Sequence, residues 1–289
     1  MSWRVVVVSS RCKLDLKMGY MVIRGEETKR IYLEEISVLM LENPAISLTG
    51  CLLEALVERK IKVIFCDSRR SPAAELVPCH GCHDSPRKLR QQLSWTPEMK
   101  GAVWTMVIGE KIRQQAQLLA EEKKQREALL LESYIPQIEF QDRTNREGHA
   151  AKVYFNALFG MDFSRRSDDP INAALNYGYA ILLSAFNREI AASGYLTELG
   201  LHHDNVFNQF NLSSDLMEPF RILVDRCVLS MEISERSPEV KRQLLNILNT
   251  HIRIADAQQT VLNAIRIYLK SVWEALNQND ISALCFYDL

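Results

Sequence analysis

Residues 169–186 read DPINAALNYGYAILLSAF and carry the clearest helix signal in the chain. Asp169 is suited to cap a helix N-terminus, and Pro170 fits the first helical position, where no backbone N–H is needed. The apolar and small residues that follow recur at helical spacing and form one stripe, namely Ile171, Leu175, Gly178, Leu182 and Ala185. The stretch therefore predicts a long helix with one packing face.

Helical periodicity continues on both sides of this stretch. It predicts one long helix over 97–128 and further helices near 215–232, 238–250 and 255–277. The charged run at 121–127 is typical of a solvated helix face. The C-terminal two thirds of the chain is therefore expected to be all-helical.

The first third has a different pattern, with short β-branched or alternating runs separated by polar breaks. Residues 4–8 read RVVVV, and residues 12–17 alternate with the period of two that a strand requires. Short strands at this spacing indicate an antiparallel sheet or sandwich. Thr49 is suited to cap a single helix from Gly50 to about Arg59.

These patterns give an α+β fold class with two domains. We expect a small β-sandwich-like domain over 1–85, a linker over 86–96 and a larger all-α domain over 97–289. A length of 289 residues is enough for two domains that each bury a core.

Composition excludes several classes of protein. With 47% hydrophobic and 25% charged residues, the chain is neither disordered nor collagen-like nor of low complexity. The 35 basic and 36 acidic residues give a net charge of -1, which excludes a uniformly basic DNA-binding coat but not a basic groove. Seven cysteines without a secretory signal or membrane span predict reduced thiols and a cytoplasmic location.

A Cys-x-x-Cys-His motif stands at residues 79–83, which read CHGCH. Its spacing matches covalent haem attachment and could also supply ligands to zinc. Haem attachment is disfavoured without an export signal, and zinc would need a second ligand pair that does not follow. Pro78 and the Asp-Ser-Pro run at 84–86 are typical of a loop. We therefore interpret the motif as an interdomain loop, with metal binding as the alternative.

Asp215 and Glu218 are candidate metal ligands in the helical region. They are three residues apart, so a helix would place both on one face. With an imidazole from the adjacent pair His202 and His203, they could hold Mg²⁺ or Mn²⁺. The Asp-x-x-Glu spacing is also that of a capping box, and Pro219 fits a first helical turn. The local pattern favours the cap.

Glu147 is a further candidate. It is flanked by Arg143, Arg146 and Lys152, which could hold phosphates around a metal-bound carboxylate. The same spacing fits ordinary charge pairs on a surface helix. Both interpretations remain open at this level.

Taken in order, four blocks resemble the Cas1 family of CRISPR-associated endonucleases, the integrases of spacer acquisition, and most closely its type II branch. The blocks are EG at 147–148 with AKVYF at 151–155, RR at 165–166 leading into DPINAALNYGY at 169–179, GY at 194–195 running to GLHH at 200–203, and DLMEPFR at 215–221. Weaker support comes from 3–4, 48–50 and 63–67. The resemblance covers nearly the whole chain, although the residues 204–208 that follow the histidine depart from the family pattern.

The resemblance implies that Glu147, His203 and Glu218 are the catalytic residues and hold Mg²⁺ or Mn²⁺. His203 rather than His202 falls on the family histidine, which stands fifteen residues before the last acid of the pattern. Many members have aspartate at the position of Glu218, and glutamate keeps the oxygen ligand. Asp215 matches a further family acid, expected to support a ligand from behind or to cap a helix.

The resemblance also implies a reaction, in which the 3′-hydroxyl ends of a prespacer are joined to the leader–repeat of a CRISPR array by transesterification. A metal-dependent nuclease that acts on branched DNA without joining it, and a scaffold that only holds DNA, are the alternatives. The residues expected to contact phosphates are the basic ones nearest the four blocks, Arg143, Arg146, Lys152, Arg165, Arg166 and Arg221. Tyr177 is expected either to stack on DNA or to be a core tyrosine.

The partners that the resemblance implies are double-stranded DNA and other proteins. The N-terminal domain would form a homodimer, and the helical domain would carry the catalytic site. A Cas2 dimer would bridge two such homodimers, with Csn2 and Cas9 as further partners and no membrane involved.

Overall fold

The computed structural model describes residues 4–76, 84–233 and 238–288. The chain divides into two units, with the division between residues 83 and 84. The first unit holds the strands predicted for the N-terminal third, and the second holds the long helices. The α+β class expected from the sequence is therefore confirmed.

Two four-stranded sheets form the first unit. The strands of one sheet, in spatial order, are β1 (Arg4–Val8), β5 (Ile36–Leu41), β7 (Lys62–Cys66) and β8 (Pro72–Glu75). Those of the other are β4 (Thr28–Tyr32), β3 (Tyr20–Arg24), β2 (Lys13–Lys17) and β6 (Ser47–Leu48). All six residues of β5 are buried, because this strand lies inside its sheet and is covered on both faces.

The expectation of antiparallel sheets is correct for only part of this unit. Strands β2, β3 and β4 pair antiparallel, but β1 with β5 and β5 with β7 are parallel. Parallel neighbours need a crossover connection, which helix α1 (Gly50–Glu58) supplies before β7. Its start is as predicted, because the Thr49 side chain accepts a hydrogen bond from the Leu52 N–H at 3.4 Å.

The second unit is built on nine helices within the described residues. In chain order they are α2 (Ser85–Leu93), α3 (Pro97–Glu121), α4 (Gln125–Tyr134), α5 (Arg146–Phe159), α6 (Pro170–Ala192), α7 (Asn211–Leu216), α8 (Arg221–Leu229), α9 (Pro238–Asn246) and α10 (Val261–Gln278). Helix α2 occupies most of the segment 86–96 that the sequence predicts as a linker.

Helix α6 is confirmed as the sequence predicts it. The Asp169 carboxylate accepts the Asn172 N–H at 2.9 Å, and Pro170 occupies the first turn. A Cβ on Gly178 would lie 2.4 Å from a methyl group of Val224 in α8. The glycine therefore allows the close approach of α6 and α8, which is why it stands on the packing stripe.

The long helix predicted over 97–128 is in fact two helices. Helix α3 ends at Glu121 and α4 begins at Gln125, because Lys123 adopts a left-handed conformation with φ 61°. The charged run at 121–127 thus spans an exposed turn as well as a helix start. Its charges are solvated as expected, but they lie at the turn between two helices instead of along one helix face.

The C-terminal unit is not entirely helical, which corrects a second expectation. Strands β9 (His251–Ile254), β10 (Ala257–Thr260) and β11 (Tyr287–Asp288) form a small sheet in the order β10-β9-β11. The two turn residues between β9 and β10, Ala255 and Asp256, both have positive φ, as a tight hairpin turn requires. The helix predicted from 255 therefore begins only at Val261.

The CHGCH motif at 79–83 lies outside the described residues. Among the cysteines that the structure describes, Cys12, Cys51, Cys227 and Cys285 are free thiols. Over the described ranges, no helix combines the length and apolar character needed to cross a membrane.

Candidate metal and DNA site

Glu147 lies in the first turn of α5, held by the preceding loop. The Asp142 carboxylate accepts hydrogen bonds from the Arg146 N–H at 2.7 Å and the Glu147 N–H at 3.0 Å. Asn145, in a left-handed conformation, caps the helix by accepting the Gly148 N–H at 3.2 Å. These bonds satisfy N–H groups that the first turn leaves free, so the position of Glu147 is fixed by its backbone.

Glu218 lies in a 3₁₀ turn, Glu218–Phe220, between α7 and α8. Its side chain is only 7% exposed, and one carboxylate oxygen accepts from Arg221 Nε at 2.9 Å. Asp215, at the end of α7, and Glu218 contact different partners, because Glu218 accepts from Lys111 and Arg221. The expected capping box is wrong, since the Asp215 carboxylate accepts from the backbone of residues 201–203 instead.

Lys111, from the middle of α3, joins the two glutamates. Its ammonium donates to Glu147 Oε1 at 2.6 Å and to Glu218 Oε2 at 2.5 Å, and its side chain is 12% exposed. Burial alone raises the pKa of Glu218, but the charges of Arg221 and Lys111 outweigh it and hold this pKa below its usual value. Glu218 is therefore ionised and ready to bind a cation at neutral pH.

His203 is oriented by the fully buried carboxylate of Asp215. That carboxylate accepts backbone N–H groups of Leu201 at 2.7 Å, of His202 at 3.0 Å and of His203 at 3.3 Å. It also contacts His203 Nδ1. A proton on Nδ1 that is donated to Asp215 leaves the lone pair of Nε2 for a metal ion, the usual arrangement of a metal-binding histidine.

Negative charges act on the imidazole of His203. The hydrogen bond to Asp215 raises the pKa of His203 most strongly, and the negative charges of Asp215, Glu218 and Glu147 raise it further. His202, in contrast, lies flat on the indole of Trp104, with ring centroids 4.6 Å apart and planes 3° from parallel. The geometry therefore favours His203 over His202 as the ligand.

Gly200 makes the histidine segment possible. A Cβ at this position would lie 2.2 Å from the backbone oxygen of His203 and 2.9 Å from Asp215 Oδ2. A backbone oxygen cannot move aside as a flexible side chain can, so any larger residue would push the segment off the carboxylate. Close packing therefore explains why the first residue of the GLHH block is glycine.

A cavity of about 250 Å³ opens beside the glutamates. Its charged lining comprises the acids Glu147, Glu218 and Asp225 and the bases Lys111, Arg165 and Arg221. Phe155, Tyr179, Gln115, Pro219 and Ile222 complete the wall. A cavity with acidic and basic groups side by side could bind a metal ion and a phosphate together.

Asp225 lies at the closed end of this group of charges. It accepts hydrogen bonds from the hydroxyls of Tyr154, at 3.0 Å, and Tyr179. Burial raises the pKa of Asp225 to about 6, against the opposing effect of these two bonds. The same burial raises the pKa of both tyrosines well above their usual value, so they remain donors.

The basic residues expected to contact DNA do not all lie at the cavity. Arg165 and Arg221 line it, and both lie over the ring of Tyr179, at 5.4 Å and 4.7 Å. Arg146 lies over the ring of Tyr134, 5.5 Å from its centroid. The remaining three, Arg143, Lys152 and Arg166, are exposed and are not among the residues that line the cavity.

Tyr177 is not available for stacking on DNA. It is only 7% exposed, and the Lys241 ammonium lies 5.0 Å from its ring centroid. The alternative weighed at the sequence level, a core tyrosine on α6, is therefore the correct one.

The residues present suit a divalent cation. Two carboxylates and one imidazole are the donor set that Mg²⁺ or Mn²⁺ accepts, and the Lys111 ammonium already stands as a cation between the carboxylates. Among the described residues, no three His, Cys, Asp or Glu side chains converge closely enough to hold a metal ion as they stand. Binding would therefore require Glu147, His203 and Glu218 to draw together around the ion.

Sequence reasoning missed Lys111, Trp104, Tyr179 and Asp225 as parts of this site. Lys111 did carry a signal, because it stands four residues after Val107 on a buried stripe of α3 where an apolar residue is expected. A buried charge at such a position needs a partner. The other three carry no comparable signal, since buried aromatic residues and single acids on helices are common.

Comparison with known proteins identifies the family of the chain. The family described as CRISPR associated protein Cas1 matches residues 5–239. The CRISPR-associated endonuclease Cas1 of Neisseria meningitidis serogroup C (strain 8013) is 33% identical over 271 residues, which cover 92% of this chain and 89% of that protein.

Two solved structures share the fold. A casposase bound to its integration product superposes with a TM-score of 0.77 over 96% of this chain and 91% of that one, at 19% identity. A Cas6-RT-Cas1–Cas2 complex superposes with a TM-score of 0.75 over 97% of this chain at 18% identity. This chain spans only 36% of that much longer one. At these identities the likeness concerns the fold alone.

Proposed function

The chain belongs to the CRISPR-associated Cas1 family, and from that premise we propose that it is a metal-dependent DNA integrase of spacer acquisition. It would join the 3′-hydroxyl ends of a prespacer to the leader–repeat of a CRISPR array. The observation that carries the proposal is the meeting of Glu147 and Glu218, from separate elements, on the wall of a cavity that also holds Arg165 and Arg221.

In the proposed site Glu147, Glu218 and His203 would hold Mg²⁺ or Mn²⁺. The bound ion would polarise the scissile phosphodiester and stabilise the charge that develops on the leaving oxygen. Asp215 keeps the Nδ1 proton of His203 in place, so that Nε2 faces the ligand position. Arg221 balances the charge of Glu218 from the opposite side, at 2.9 Å.

The joining reaction is a direct transesterification. The 3′-oxygen of the prespacer strand forms a new bond to phosphorus, and the bond between phosphorus and the 3′-oxygen of the target strand breaks. The attacking hydroxyl loses its proton and the leaving oxygen gains one. Arg165, whose guanidinium donates to the neutral amide of Asn176 at 2.7 Å, keeps its charge free to bind a phosphate of either strand.

The assembly is proposed from the family and from the names of the structural neighbours. One neighbour is a complex with Cas2 and another is a casposase on its integration product. By analogy, a homodimer formed through the N-terminal unit would carry double-stranded prespacer DNA, and a Cas2 dimer would bridge two homodimers. The meningococcal relative supports placement in the type II branch, where Csn2 and Cas9 would be further partners.

The test is a joining assay with a labelled prespacer and a plasmid that carries a leader–repeat, with and without Mn²⁺. Glu147→Gln, Glu218→Gln and His203→Ala should each abolish joining while circular dichroism and oligomeric state stay unchanged. His202→Ala is the matched control and should remain active. An active His203→Ala protein would refute the assignment of His203. An inactive His202→Ala protein would show that His202 is required and that the wrong histidine was assigned.

The same assay separates the alternatives. An integrase gives a covalent donor–target product only when the prespacer ends in a 3′-hydroxyl, so a 3′-deoxy prespacer should give none. A nuclease that acts on branched DNA would release fragments with either donor. A scaffold would bind DNA with no requirement for a metal ion and would form no product.

A further inference from the structure

Lys111 occupies a position from which a single cation contacts both glutamates. It comes from α3, whereas Glu147 belongs to α5 and Glu218 to the turn before α8. The ammonium lies 2.6 Å from one carboxylate and 2.5 Å from the other. The two carboxylates thus meet through Lys111.

The charges around this lysine balance without any metal ion. Glu147 and Glu218 carry two negative charges, and Lys111 and Arg221 carry two positive charges, all within one network of ion pairs. Charges that are this deeply buried persist only when they are paired. Lys111 therefore holds the metal-free site together, because without it Glu147 would lose this ion pair and Glu218 would keep the one with Arg221.

A divalent ion and the Lys111 ammonium cannot share this position. The ammonium contacts Glu147 Oε1 and Glu218 Oε2, and Arg221 contacts Glu218 Oε1, so an ion held by both glutamates would compete for these oxygens. The positive charges of the ion and the ammonium would also repel each other at this short range. The positive charge of Arg221 already repels the Lys111 ammonium. Metal loading must therefore move the ammonium away from both carboxylates.

We propose that Lys111 is the resident counter-ion of the metal-free site and that metal binding exchanges it out of the carboxylate pair. This inference rests on the function proposed above. The displaced ammonium would remain on the wall of the cavity that Arg165 and Arg221 line, where a DNA phosphate is its next partner. Lys111 is thus a positioning residue that holds the two carboxylates near each other until a metal ion replaces it.

The first measurement needs no variant of Lys111. The full chain, stripped of metal, is treated with an amine-acetylating reagent in EDTA or in Mn²⁺, and the modified lysines are mapped by mass spectrometry. Mn²⁺ should increase the acetylation of Lys111, because the amine is released from its two carboxylates. Lys62, buried in an ion pair with Glu75 in the N-terminal unit, is the matched control and should not change.

The second measurement is the affinity for Mn²⁺, followed by calorimetry. Lys111→Met keeps the length of the side chain but removes the competing charge, so the variant should bind Mn²⁺ at least about tenfold more tightly than the wild-type chain. In EDTA the variant should also unfold at a lower temperature than the wild-type chain, and Mn²⁺ should remove this difference. Lys62→Met should leave the Mn²⁺ affinity unchanged.

The two measurements distinguish failure of the Lys111 proposal from failure of the proposed function. Unchanged acetylation of Lys111 on addition of Mn²⁺ overturns the proposal even where Lys111→Met fails to fold, and so does an equal or weaker affinity in a folded variant. Failure of the proposed function has a different signature. In that case Glu147→Gln and Glu218→Gln would bind Mn²⁺ as tightly as the wild-type chain, and both proposals would fall together.

Discussion

Asp215→Asn tests whether Asp215 orients His203 as a metal ligand or only contributes to the stability of the fold. The carboxylate is fully buried and receives four donors, the backbone N–H groups of residues 201–203 and Nδ1 of His203. Asparagine has nearly the same shape, but its amide nitrogen cannot accept. The donors on that side of the group then face another donor.

The size of the effect follows from those bonds. Hydrogen bonds to a charged group contribute about 1.5–3 kcal/mol each, so loss of the acceptor for one pair of donors should cost about 3 kcal/mol or more. The cost should appear first as local opening of residues 201–203, since the rest of the unit keeps its core. A histidine that loses its supporting carboxylate typically loses about 10–100-fold in metal affinity.

Two measurements check this prediction. Hydrogen exchange should accelerate at the amides of Leu201, His202 and His203 in Asp215→Asn, and calorimetry should show the weakened binding of Mn²⁺. Asp67→Asn is the control, because Asp67 also accepts backbone N–H groups, of Arg69 and Ser71, but in the N-terminal unit. Wild-type exchange and wild-type Mn²⁺ affinity in Asp215→Asn would refute the reasoning.

Three further predictions follow from the same geometry. Gly200→Ala should lose about 1–3 kcal/mol of stability in urea unfolding and most of its joining activity, because the added Cβ meets a backbone oxygen; an unchanged protein would contradict the packing argument. Arg165→Ala should weaken DNA binding and reduce the slope of log K against log salt by about 1, and an unchanged slope would remove Arg165 from the phosphate contacts. Burial raises the pKa of Asp225 to about 6, so the folded chain keeps a proton that the unfolded chain releases near pH 4. The protonated Asp225 therefore stabilises the fold at low pH, and this contribution is lost as the pH rises through 6. Relative to Asp225→Asn, the wild-type chain should therefore lose about 2 kcal/mol of unfolding free energy between about pH 4.5 and 7, whereas parallel curves would show that Asp225 does not titrate as described.

Local signals in the sequence predicted those elements whose cause is local. The caps at Thr49 and Asp169 are confirmed because a cap depends on a side chain and an N–H group three residues later. The break at Lys123 and the hairpin at 255–256 were missed because non-glycine residues adopt positive φ there. Lysine and alanine adopt this conformation rarely, so the residue types do not indicate it.

The candidate site shows the same division. The spacing of Asp215 and Glu218 predicts neighbouring carboxylates, but it does not predict that they contact different partners, His203 and Lys111. The grouping of Glu147 with Glu218 spans 71 positions of the chain and came from the family resemblance. Periodicity reports which face of a helix is buried, whereas a site assembled from distant segments depends on how those helices pack.

The central claim is that Glu147, His203 and Glu218 hold one divalent cation. Crystals soaked in Mn²⁺, with X-ray data collected near the manganese edge, test it most directly through the anomalous difference map. We predict a single strong peak bounded by oxygens of Glu147 and Glu218 and by Nε2 of His203, with the Lys111 ammonium moved away from both carboxylates. A map without a peak between these residues, or a peak held by His202, would contradict the account.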